Sequence, residues 1–95
     1  MTLKELHTTE KGVSAKAFFK GIEGTATALQ IKKEGILKEH ITKVPTILTC
    51  IQGEVIFKNE KNLKKTLSPG SYIEIEPLVK HWITGVKDSQ LILLK

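Results

Sequence analysis

Residues 35–53 read GILKEHITKVPTILTCIQG, and residues 70–85 read GSYIEIEPLVKHWITG. Each stretch opens and closes on glycine and contains one histidine and one proline: His40 and Pro45 in the first, Pro77 and His81 in the second. In the second, Ile73 and Ile75 stand opposite Tyr72, Glu74 and Glu76, the two-residue period of a half-buried strand. In the first, residues 46–52 are β-branched and mostly apolar, which predicts a strand covered on both faces. Strand alternation puts Thr46, Leu48 and Cys50 on one of them.

The same reading extends outward. Residues 15–20, 25–33, 36–41, 54–58, 63–67, 81–86 and 90–94 form further short strand-like pieces, cut by glycines and by a turn at residues 59–62. Only the beginning has a helical signal, a capping box at Thr2-Leu3-Lys4-Glu5, and an N-terminal strand fits it equally well. About eight or nine short strands without long helices between them predict an all-β sandwich or barrel. With 95 residues in all, this is one domain: an N-terminal arm over residues 1–14 and a β-barrel over residues 15–95.

Composition excludes several classes. Hydrophobic residues at 40% and charged residues at 26% describe a globular chain. The longest aliphatic run, Leu91-Ile92-Leu93-Leu94, is far too short to span a bilayer, and the opening MTLKELH lacks the apolar stretch of a secretion signal. A cytoplasmic protein without a membrane role is the expectation. The net charge is +5, yet all 15 basic residues are lysine. Arginine supplies the bidentate fork that reads guanine and phosphate, so no nucleic-acid partner is expected. Lys58, Lys61, Lys64 and Lys65 surround the turn at 59–62 and read as a solvated hairpin tip, with a phosphate-binding surface as the alternative. Cys50 is the one cysteine, so no intrachain disulfide forms.

With these residues in place, the sequence resembles the cupin superfamily over roughly residues 22–95. Gly35, His40, Thr42, Thr46 and Gly53 fall at the places of the family's first motif, G-x5-H-x-H-x3,4-E-x6-G. Gly70, Pro77, Val79, His81 and Gly85 fall at those of the second, G-x5-P-x-G-x2-H-x3-N. Residues 51–55 look like the family's strand–Gly–Glu–strand hairpin. The resemblance implies a single-domain double-stranded β-helix, or jelly-roll barrel, and a homodimer. Exposed apolar edges such as Leu91–Leu94 would need a second subunit to cover them.

Cupins commonly hold a divalent metal such as iron, manganese, nickel or zinc with three histidines and one glutamate. Only His40 and His81 carry over. Thr42 stands at the second histidine and Thr46 at the glutamate, and a hydroxyl replaces neither imidazole nor carboxylate at a transition metal. Glu39 neighbours His40 and points to the opposite face of a strand. His7 would have to reach in from the N-terminus or from a partner chain.

Three functions follow. The first is a small polar ligand, such as a sugar or a small carboxylate, in a barrel pocket formed by His40, Thr42, Thr46, Cys50 and His81, without a complete metal site. The second is a metal-dependent enzyme, a dioxygenase or isomerase, whose weakly held divalent metal uses His40, His81 and a further ligand. The third is an interaction module. Cys50 is either a small buried hydrophobe or a nucleophile paired with a histidine. Trp82, directly after His81, faces away from the imidazole and offers a packing or stacking surface. Whether the chain is an enzyme stays open at this level.

Overall fold

A computed structural model describes residues 1–95. Its nine strands are β1 (Val13–Lys20), β2 (Thr25–Ile31), β3 (Ile36–His40), β4 (Thr46–Gln52), β5 (Val55–Asn59), β6 (Lys64–Leu67), β7 (Tyr72–Ile75), β8 (His81–Gly85) and β9 (Ser89–Leu94). They form two antiparallel sheets, a five-stranded one in the order β1-β2-β9-β4-β7 and a four-stranded one in the order β3-β8-β5-β6. The architecture is the expected all-β jelly roll.

The inward faces meet in one apolar cluster. Leu29, Leu91 and Cys50 lie side by side across β2, β9 and β4 and are fully or almost fully buried. Leu48, Ile75, Val55, Phe57, Leu67, Ile83 and Ile31 complete the cluster. Each fully buried aliphatic or aromatic side chain contributes about 1.5–3 kcal/mol, so the alternation in the strands is what holds the sheets face to face.

Four expectations change. Strand β4 is not covered on both faces: Thr46, Leu48 and Cys50 are buried, whereas Ile47 and Thr49 are only half-buried. The residues at 51–55 do not make a hairpin, because β4 and β5 belong to different sheets and Gly53-Glu54 is the corner between them. Leu91–Leu94 is not an edge. Strand β9 sits between β2 and β4, and its Leu91 is fully buried. The edges are β1 and β7 in one sheet and β3 and β6 in the other, and β1 carries Phe18 and Phe19 at 43% and 63% exposure. Finally, β1 begins at Val13, inside the expected arm. The capping box forms a single 3-10 turn, Lys4–Leu6, in which Thr2 Oγ1 accepts the Glu5 N–H at 3.2 Å.

The corner at Gly53 has a specific demand. Its φ is +90°, and a Cβ there would run into the Asp88 carbonyl and the backbone of Ser89. Gly70 has a similar φ of +93° but faces open space. Gly70→Ala therefore costs only the left-handed conformation, about 1–2 kcal/mol. Gly53→Ala costs clearly more, because the clash is with backbone. Chemical denaturation of the two variants side by side checks this ordering.

Candidate functional site

The two motif histidines are brought together. His40 ends β3, His81 begins β8, and they are direct cross-strand partners after an irregularity in register between Leu37 and His40. Their ring centroids are 4.1 Å apart and tilted by 58°. His81 points into the barrel, 1% exposed, with its ring stacked on Phe57 at 5.5 Å. His40 lies beside it at the exposed rim, and its Nδ1 meets the Lys38 carbonyl at 3.0 Å. As the donor in that contact, Nδ1 leaves Nε2 as the free lone pair.

The neighbouring backbone is firmly held. Asn59, the partner of His81 on β5, uses its side-chain Oδ1 to accept the N–H groups of Lys61 and Leu63, which closes the turn at the hairpin tip. Glu60 accepts the Lys80 N–H with its carboxylate and donates its own N–H to the Lys80 carbonyl. The loop after His40 is clasped to the loop before His81 by the Leu78 N–H and the Thr42 carbonyl, at 2.8 Å. Leu78 has a φ of 65°, an unusual conformation for a bulky side chain. The clasp helps to hold that strained residue beside the site.

Thr42 is buried at the same end of the barrel as the histidines. Thr46 is buried too, but its hydroxyl is already engaged with the Val44 carbonyl at 3.1 Å. Cys50 lies four residues further along β4, about 13 Å at strand rise, among the core side chains. Its thiol contacts the Gln52 and Gly53 carbonyls at 3.6 and 3.8 Å. Burial pushes that thiol up from its ordinary range, Glu54 adds to the rise, and the Gln52 contact offsets part of it. Cys50 is thus buried among apolar side chains, and its thiol meets backbone carbonyls rather than either histidine.

His7 does not reach the barrel. Its Nδ1 contacts Ser14 Oγ at 2.8 Å on the outer side of the five-stranded sheet. Glu39 is on the surface, paired with Lys80 at 3.6 Å. Trp82 is half-buried on the face opposite His81. The lysine-rich segment is the β5–β6 hairpin tip, where Lys58 and Lys64 face each other and Lys61 pairs with Glu76 at 2.9 Å.

Sequence reasoning missed that two polar atoms at this end are left alone. His81 Nδ1 and Thr42 Oγ1 are both shielded from solvent and make no well-formed hydrogen bond, although the Val79 backbone lies near enough to His81 to favour its charged form. The signal lay in the pattern, since His81 and Thr42 occupy inward positions that an apolar residue would fill at no such cost.

With the geometry in view, comparison with solved structures is decisive for the fold. A cupin superfamily protein from Desulfitobacterium hafniense superposes with a TM-score of 0.83 over 98% of this chain and 84% of its own, at 15% identity. The chain has the cupin fold. KdgF from Halomonas sp. matches with a TM-score of 0.80 at 21% identity, over 93% of this chain and 82% of that one. A cupin-2 domain protein from Shewanella frigidimarina matches at 0.79 and 10% identity, over 97% and 88%. At such identities the likeness is one of fold. No protein-family model matches the sequence, and no curated protein does.

The metal that this cupin barrel would hold by analogy does not fit its residues. No group of three or more His, Cys, Asp or Glu side chains is placed to hold an ion. The donors present at this end are two imidazoles and two hydroxyls, without a carboxylate to balance the cation. Iron, manganese, nickel or zinc added at equimolar concentration is expected to leave the melting temperature unchanged, with a chelator equally without effect. Differential scanning calorimetry measures both.

The buried imidazole also sets a pH dependence. Burial lowers the His81 pKa below its ordinary 6.5, the neighbouring His40 lowers it further, and the Val79 backbone opposes the shift in part. His7 is lowered as well, by burial and then by Lys16. Below pH 6.5 the unfolded chain takes up protons that the folded chain refuses. The stabilisation is therefore full above 6.5 and is lost as the pH falls toward the folded-state values. Melting temperatures between pH 7 and about 5, above the main carboxylate range, should fall for the native chain and fall less for His81→Phe.

Proposed function

We propose that the His40–Thr42–His81 end of the barrel binds a small polar molecule, of the sugar or small-carboxylate class, by hydrogen bonds to His81 and Thr42. The observation that carries this reading is the pair of buried, unpartnered atoms, His81 Nδ1 and Thr42 Oγ1. Each such atom costs about 1–3 kcal/mol when nothing meets it. Two of them at one end of a barrel whose other buried polar side chains, Thr46, Asn59 and Ser89, are all hydrogen-bonded are a sacrifice of stability of the kind binding sites make.

The principal clefts of the surface do not reach these two atoms. One cleft of about 510 Å³ does lie at this end of β4 and β7, bounded by Pro45, Thr46, Glu74 and Pro77. Entry to His81 involves rotation of His40, which is exposed and held by a single local hydrogen bond. Exposed Ile41, Val44 and Leu78 belong to the two loops that flank the histidines and would contact the apolar parts of a ligand. A homodimer remains part of this reading, with β1 as its contact strand, since that edge carries exposed Phe18 and Phe19.

Two variants test the proposal. Thr42→Val and His81→Phe remove the lone polar atoms and keep the shape of the core. At pH 7 both should be at least as stable as the native chain, since neither discards a satisfied hydrogen bond. Both should lose the saturable binding that the native chain shows in a calorimetric screen of monosaccharides and small hydroxy-carboxylates. A variant that binds as well as the native chain overturns the assignment. A loss of about 1 kcal/mol or more for Thr42→Val does so too, because it means the hydroxyl is already satisfied.

A further inference from the structure

A second set of buried polar groups lies away from the barrel. Ser14, Gln30, Gln90 and Gln52 are consecutive cross-strand partners on β1, β2, β9 and β4. Cross-strand partners share a face. Leu29 and Leu91, next to Gln30 and Gln90, face the core, and a register shift between Cys50 and Gln52 turns Gln52 to the side of Gln90, so this polar row is on the outer face of the five-stranded sheet. An outer face should be wet, yet Gln30 and Gln90 are only 4% and 7% exposed. The cover is the N-terminal segment. His7 is hydrogen-bonded to Ser14, and the turn before it forms one wall of a cleft of about 310 Å³ whose other wall is Ile51, Gln52 and Gln90.

The amides under this cover are incompletely paired. Gln90 Nε2 donates to Gln30 Oε1 at 2.7 Å, which leaves Gln90 Oε1 shielded and without a donor. His7 Nε2 is also without a partner. The cleft, at about 310 Å³, has room for more than a single water. Its walls include the aliphatic side chains of Leu3 and Ile51.

We infer that the cleft between the N-terminal turn and the outer sheet face binds a small neutral amide, whose N–H donates to Gln90 Oε1 and whose apolar part rests on Leu3 and Ile51. An anion has no proton to give that oxygen. A cation would meet Lys4, which also lines the cleft, on a chain of net charge +5. A primary amide also presents a carbonyl to the Gln52 amide. Because Gln90 Oε1 is shielded, the turn must shift to admit the ligand. It is a single 3-10 turn with no fully buried residue, the kind of segment that opens at low cost.

Nuclear magnetic resonance on the full chain tests this with isobutyramide as probe and isobutyrate as its size-matched anion. Isobutyramide should give saturable shifts at the Gln52 and Gln90 side-chain amides and at the backbone of Leu3 and Lys4, with isobutyrate giving none. Gln90→Leu should weaken binding roughly tenfold, the equivalent of one neutral hydrogen bond. That variant leaves Gln30 unpaired and risks misfolding, so Leu3→Trp, which fills the cleft from the exposed arm, is measured beside it and should abolish the shifts. The inference fails if isobutyramide gives no saturable shift, if isobutyrate binds equally, or if binding survives Leu3→Trp.

Discussion

The two sheets are tied together at one buried hydroxyl. Ser89 Oγ, at the start of β9, accepts the Glu54 N–H at 2.9 Å and faces the Lys87 and Glu54 carbonyls at 2.7 and 3.1 Å. Glu54 follows the corner where the chain leaves the five-stranded sheet for the four-stranded one. The Glu54 carbonyl in turn accepts the N–H groups of Val86 and Lys87. A fully buried serine at this spot satisfies backbone groups that the change of sheet would otherwise strand. The inward alignment of Leu29, Leu91 and Cys50 on one sheet against Val55 and Phe57 on the other depends on that corner.

Given such a frame, the polar groups it retains become informative. A core of ten buried side chains is small, and it tolerates few orphaned atoms. The orphans gather in two places, one at the histidine end of the barrel and one beneath the N-terminal turn. In the first, the imidazole of His81 is held on Phe57 by strand pairing to Asn59 and by the two hydrogen bonds between Glu60 and the Lys80 backbone. The fold is that of a cupin, and Thr42 and Thr46 bring hydroxyls rather than an imidazole and a carboxylate to this end of the barrel.

Much of this was legible in the residues. Alternation at Ile73 and Ile75 and the glycines at 35, 53, 70 and 85 marked strands and turns, because burial, left-handed backbone at Gly53 and Gly70 and close backbone approach at Gly35 and Gly85 leave local signatures. The meeting of His40 with His81 followed from the motif resemblance. Strand order was not legible: nothing local in residues 89–94 says that β9 lies in the middle of a sheet, so the run Leu91–Leu94 read as an edge. Cys50 joined the expected pocket through its parity on β4, but parity gives the face and not the distance along it. The polar row joins residues 14, 30, 52 and 90, and only tertiary pairing places them together.

The central place of β9 has a consequence for how the chain is made. Strands β1 and β2 form one antiparallel pair and β4 and β7 another, and β9 alone joins the two pairs into a sheet. During synthesis from the N-terminus, those pairs emerge from the ribosome with open inner edges on β2 and β4. They stay open until the last of the nine strands is released. The pairing that closes them is long-range, up to 68 residues between Ala26 and Leu94, and such contacts form slowly. Nascent chains stalled before residue 89 therefore expose two unpaired edges and the apolar faces beside them, the stage at which a chaperone or a neighbouring nascent chain has something to bind.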